Sequence, residues 1–168
     1  MQHLRLFYVV ITLLAATLSP ATAIRAEEIN DAHALAGLKA AKGVFLVDIG
    51  DPEKLAFYLD IIKGTHAGMV RQNVTPNLVV VFIWPSVPYL TTAPNDEIAM
   101  EHEDTLERIA DAIADLKRVG VRQEICAVAT RVFSVDNKTV LPSLNVVGDG
   151  FISLIGYQAQ GYALVPVF

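Results

Sequence analysis

Leu78-Val79-Val80-Val81-Phe82-Ile83-Trp84 is an unbroken apolar run, rich in β-branched residues and followed by Pro85 and Pro88. Its length suits a strand rather than a helix. Its lack of alternation means that both faces are covered, which is the condition of a strand inside a parallel sheet. The prolines cannot donate to a ladder, so pairing stops there and Pro85 to Asn95 reads as a loop.

Working outward, Val44-Phe45-Leu46-Val47-Asp48-Ile49 reads as a first buried strand that ends at Gly50. Asp51-Pro52 then opens a helix. The aspartate side chain accepts from orphan N–H groups, and the fixed φ of proline suits the first helical position. Leu55, Tyr58, Leu59 and Ile62 follow at helical spacing. Gly64 to Asn77 reads as an irregular connection or the frayed end of that helix. On the other side, Asp96 to Val119 predicts one long helix with Leu106, Ile109, Ile113 and Leu116 on its apolar face. Its acids come early and its bases late, as the helix dipole favours.

Val121 to Cys126 predicts the third strand and Ala127 to Phe133 a short helix. Leu144 to Val147 predicts the fourth strand. A helix capped by Asp149 follows, with Phe151, Leu154, Ile155 and Gln158 aligned, and Tyr162 to Val165 predicts a fifth strand ending at Pro166. Strands that alternate with helices predict an α/β fold: a three-layer α/β/α sandwich around a mostly parallel five-stranded sheet, with right-handed crossovers.

The 168 residues suit one domain, and 53% hydrophobic against 18% charged residues predicts a substantial core. Part of that apolar content lies at the start. His3 and Arg5, the uncharged run Leu6 to Leu18, Ser19-Pro20 and Ala21-Thr22-Ala23 have the order of a secretory signal, predicted to be cleaved after Ala23 or Ala26. The run is about 13 residues, short of the ~20 that a bilayer span needs, so stable membrane insertion is not expected. The expected organisation is a signal at 1–23, a lead-in at 24–43 and the folded domain at 44–168, with a periplasmic or secreted location. The formal charge is −5, and no basic stripe is present, so nucleic-acid binding lacks an electrostatic basis.

Ligands of such a sheet gather at the carboxyl ends of its strands. That rule selects Asp48, Trp84 with Ser86, Cys126, and Gly148-Asp149 at the end of the fourth strand, where Asp149 reads first as the cap of the next helix. The chain has one cysteine, so an internal disulfide is impossible. Cys126 is a buried apolar filler, a reactive thiol or an intermolecular partner. A helix beginning directly after it would turn unpaired N–H groups toward the sulfur and stabilise its nucleophilic thiolate form, and Arg131 would add charge one turn on. Ser86 has no His/Asp pattern that would make it a hydrolase nucleophile. His33, His66 and His102 share no metal-ligand spacing with one another or with Cys126, and no cofactor motif is present.

The stretch Gly120-Val121-Arg122-Gln123-Glu124-Ile125-Cys126-Ala127-Val128-Ala129-Thr130 resembles the cysteine strand of the DsrE/DsrF-like sulfur-trafficking family. The ending resembles it too: Val140-Leu141-Pro142, Val146-Val147-Gly148, and Leu154 through Gln158 to Gly161-Tyr162-Ala163. The resemblance spans roughly residues 44–166. It implies a homo-oligomer, trimeric or hexameric, and a sulfur carrier in which Cys126 holds a persulfide taken from a donor protein and passed to an acceptor. Trp84-Pro85-Ser86 departs from the glycine-proline pair that relatives often carry there, which changes the pocket wall. A non-catalytic ligand-binding or interaction module with an inert Cys126 is the alternative.

Overall fold

The computed structural model describes residues 29–168, and the signal expected at residues 1–23 lies outside them. The strands are β1 (Ala40–Val47), β2 (Thr75–Phe82), β3 (Arg122–Cys126), β4 (Asn145–Val147) and β5 (Ala163–Val167). The helices are α1 (Pro52–Arg71), α2 (Asp96–Glu101), α3 (Glu103–Arg118), α4 (Ala127–Val132) and α5 (Gly150–Ala159), with a 3-10 helix at Trp84–Tyr89. All five strands are parallel, in the order β4-β3-β2-β1-β5. The five-stranded α/β architecture read from the sequence is therefore present.

The layers follow from the two-residue period of the strands. On β3, Gln123 donates from Nε2 to the Ile113 carbonyl of α3 at 2.9 Å. Its neighbours Arg122 and Glu124 instead reach Tyr157 of α5. So α3 covers one face and α5 the other, and α1 packs beside α3. Val79, Val80, Val81 and Phe82 are all fully buried, as the unbroken apolar run of β2 requires. Leu55, Leu59 and Ile62 of α1 join them in the core. Each such side chain contributes about 1.5–3 kcal/mol by leaving water.

Several boundaries differ from the sequence reading. β1 begins four residues before Val44, inside the expected lead-in, because Ala40 to Lys42 pair in register with Thr75 to Asn77. Helix α1 does not fray at Gly64 but continues to Arg71. The expected long helix over 96–119 is broken at His102, whose φ of −132° is not helical. Its apolar stripe starts only near Thr105, and none of α2 is buried, so no packing holds the first turns in line with α3.

The stripe of α5 is also different. Gly150, Leu154 and Tyr157 face inward, while Phe151, Ile155 and Gln158 are exposed. Asp149 caps the helix, its Oδ1 accepting from Phe151 N–H at 2.8 Å, and this sets Gly150 directly on the sheet. Finally, β5 runs through Pro166 to Val167, with Pro166 opposite Leu46. A proline is tolerated because β5 pairs on one side only.

Candidate functional site

Cys126 is the last residue of β3 and precedes α4 directly, with extended backbone (φ −76°, ψ 118°). Its sulfur does not cap α4. The donor it meets is the backbone N–H of Gly150, 3.2 Å from Sγ. That group belongs to the first turn of α5, whose start is fixed by the Asp149 cap. The helix expected to face the sulfur was the one that follows it in sequence. The helix that does so arrives from 24 residues further along, across the end of the sheet.

Close approach explains the glycine. A Cβ at position 150 would lie 2.8 Å from Ile83 Cγ2, 3.1 Å from Cys126 Cβ and 3.3 Å from Val81 Cγ1. No side chain fits there without displacing the strand ends. The absence of one lets the α5 backbone reach the thiol.

A cavity of about 270 Å³ opens beside the sulfur, lined by Ile83, Trp84, Cys126, Val128, Ala129, Asp149 and Phe151. Its walls are mainly apolar, and the Asp149 carboxylate is the single ionisable oxygen group among them. Cys126 is 6% exposed, so it borders the cavity from beneath. Trp84 lies two residues past the end of β2, with its indole half-exposed. Its φ of +47° is a left-handed conformation seldom taken by a bulky residue. This turns the chain into the 3-10 helix, and the indole packs edge-to-face on Phe133 at 6.4 Å.

Of the residues selected from the sequence, Cys126 and Trp84 share this cavity. Ser86, Asp48 and Arg131 are not in its lining. Ser86 is fully buried and donates from Oγ to the Ile83 carbonyl at 2.7 Å, which tethers the 3-10 helix to the end of β2. Asp48 follows β1, and its backbone N–H donates to Val167 O at 2.9 Å. Burial pushes its carboxyl up from the usual aspartate value. Arg131 is exposed on α4. Asp149, at the end of the fourth strand, also lines the cavity, and Phe151 enters the lining unselected. A cap whose helix starts at a strand end is also a wall of whatever opens there. Among the described residues, no cluster of three His, Cys, Asp or Glu side chains could hold a metal ion. No helix there is long and apolar enough to cross a membrane.

A model of the DsrE/DsrF-like family matches residues 42–167. No curated protein matches the chain. A solved structure of a protein of unknown function from Methanobacterium thermoautotrophicum is similar, with 19% identity and a TM-score of 0.59, over 75% of this chain and 98% of that one. The ychN protein from E. coli is similar with 13% identity and a TM-score of 0.54, over 75% of this chain and 98% of its own. At these identities the likeness is one of fold.

Proposed function

The chain belongs to the DsrE/DsrF-like family, and on that premise we propose that it is an exported sulfur carrier, forming a persulfide on Cys126 and relaying sulfur to a partner thiol. The observation that carries this reading is the Gly150 N–H aimed at Cys126 Sγ beside an apolar cavity. In the loading step, the Cys126 thiolate attacks the outer sulfur of a donor persulfide. A new S–S bond forms to Sγ, the donor's own S–S bond breaks, and the donor leaves as a thiolate. In the unloading step, an acceptor thiolate attacks the same outer sulfur and Cys126 leaves as thiolate. Sulfur moves at constant oxidation level, so no external oxidant or reductant is consumed. In both steps negative charge sits on Sγ, where an N–H donor already points. Apolar walls keep bulk water away from the bound persulfide.

The chain is proposed to act as a homo-oligomer. Phe151, Ile152 and Ile155 support this, being large apolar residues exposed together on α5 next to the cavity mouth. Export rests on the basic, apolar and small-residue order of residues 1–23. The test is incubation with a small-molecule persulfide donor followed by intact mass. The expected gain is about 32 Da per transferred sulfur in the parent and none in Cys126→Ser. An equal gain in both, or no gain, overturns the reading. The low exposure of Cys126 favours one alternative, a ligand-binding module with an inert thiol. In that case alkylation would require denaturation.

A further inference from the structure

The lining of the cavity at Cys126 carries a charge pattern that the sulfur transfer itself does not use. It contains no lysine, arginine or histidine, and Asp149 is its one ionisable side chain besides the cysteine. Asp149 is partly exposed. Its Oδ1 accepts from the Phe151 N–H at 2.8 Å, which occupies one of the two carboxylate oxygens. No ion pair among the described residues includes it. A negative charge without a cation therefore stands at a mainly apolar wall, where it acts more strongly than in open water.

Two aromatic residues complete the pattern. Trp84 and Phe151 line the same cavity and are 44% and 56% exposed. The face of an aromatic ring carries partial negative charge and attracts cations, that of tryptophan most strongly. The cations that lie over rings among the described residues are Lys42 on Tyr162 and Arg122 on Tyr157, so neither ring at this cavity is taken by a protein cation. A carboxylate and two aromatic rings, with no positive side chain beside them, form the kind of surface that recognises an organic cation. At about 270 Å³ the cavity falls just below the range of drug-sized ligands, so it suits an occupant of a few heavy atoms.

We propose that the sulfur donor of this site is a small organic cation, an aminoalkyl persulfide, and that Asp149 and Trp84 are its specificity-determining residues. This deepens the sulfur-carrier reading and rests on it. The ammonium would pair with the Asp149 carboxylate against the aromatic wall, and the persulfide would meet Cys126 Sγ. The Cys126 thiolate attacks the outer sulfur, an S–S bond forms to Sγ, and the donor's own S–S bond breaks. The donor leaves as an aminothiolate that takes a proton from water. Anionic donors, thiosulfate among them, would meet the carboxylate with no cation in the lining to offset it.

Three donors of matched length test it: 2-aminoethyl, 2-hydroxyethyl and 2-carboxyethyl persulfide. The rate of the gain of about 32 Da is followed by intact mass, and each rate is divided by the same donor's rate with free N-acetylcysteine, which removes intrinsic differences in reactivity. In the parent chain the aminoethyl donor is expected about fivefold above the hydroxyethyl donor, and the carboxyethyl donor about fivefold below it, as one charge pair predicts. Asp149→Asn keeps the helix cap and should bring the three rates within about twofold of one another, the remainder belonging to the rings. Trp84→Leu should cut the aminoethyl preference about twofold and leave the carboxyethyl donor disfavoured. Equal rates in the parent, an order that survives Asp149→Asn unchanged, or an aminoethyl preference untouched by Trp84→Leu would overturn the proposal and leave the sulfur-carrier reading standing. No mass gain from any of the three donors would overturn both.

Discussion

The backbone N–H of Gly150 lies 3.2 Å from Cys126 Sγ, and a methyl group in place of the glycine hydrogen would be 3.1 Å from Cys126 Cβ. The donor reaches the thiol only because the residue carrying it has no side chain. Gly150→Ala should therefore lower stability by about 1–3 kcal/mol through overpacking against Ile83 and Cys126. It should also slow the reaction of Cys126 with a persulfide donor. A lowered urea midpoint at unchanged denaturant slope is the expected equilibrium result. An unchanged midpoint would mean that α5 does not rest against the strand ends.

Asp149 has two roles, and they are separable. Asparagine caps a helix about as well as aspartate, so Asp149→Asn should leave the unfolding midpoint nearly unchanged. The variant nevertheless removes the negative charge from the cavity wall. Iodoacetate should then gain on neutral iodoacetamide at Cys126 by about fivefold, corresponding to about 1 kcal/mol of relieved repulsion. An unaltered ratio of the two alkylation rates would show that the carboxylate does not act on molecules entering the cavity.

Trp84 is the single tryptophan of the chain and shares the cavity with Cys126. Its emission should respond when Cys126 is alkylated by iodoacetamide, on the same time course as the mass gain. Cys126→Ser should show no such change. Emission that is constant through complete alkylation would contradict a shared cavity.

On the α3 face of the sheet, Glu53 joins α1 to α3 by accepting from the Thr105 hydroxyl and from Arg108, the latter at 2.8 Å. The Thr105 hydrogen bond first, and Arg108 next, hold its carboxyl below the usual glutamate value of 4.5. A depressed carboxyl stabilises the fold above 4.5, and that contribution is lost as pH falls toward its lower folded value. Glu53→Gln should accordingly unfold at a lower denaturant concentration at neutral pH. The difference from the parent should shrink as the pH drops below 4.5. A difference that stays constant across that range would assign the effect to something other than ionisation.

Leu78 to Trp84 was sufficient to place a buried parallel strand because its composition answers a question about both faces at once. Cys126 at a strand's carboxyl end was readable for the same reason: strand length and the following helix signal are local. Other features depended on packing that no local pattern carries. The break at His102 reflects what α2 fails to bury. Ser86 follows the same strand end as Trp84, but its hydroxyl turns inward to the Ile83 carbonyl and is fully buried, which no local pattern carries. The donor facing Cys126 is 24 residues away in sequence, so the nearer helix was the natural, and mistaken, source of charge. The Glu124–Tyr157–Arg122 group was hidden because its members come from β3 and α5, which meet only in the folded chain.

Pro166 has a further consequence. The Val167 carbonyl accepts from Asp48 N–H, so position 167 points its backbone groups toward β1, and the alternation of a strand turns those of Pro166 outward. The residue without an N–H thus sits where an incoming strand would look for one. Sheet extension is obstructed along β5, and at the opposite edge β4 has only three residues to offer. Both margins of the sheet therefore carry a feature that works against the edge-to-edge aggregation that threatens open sheets.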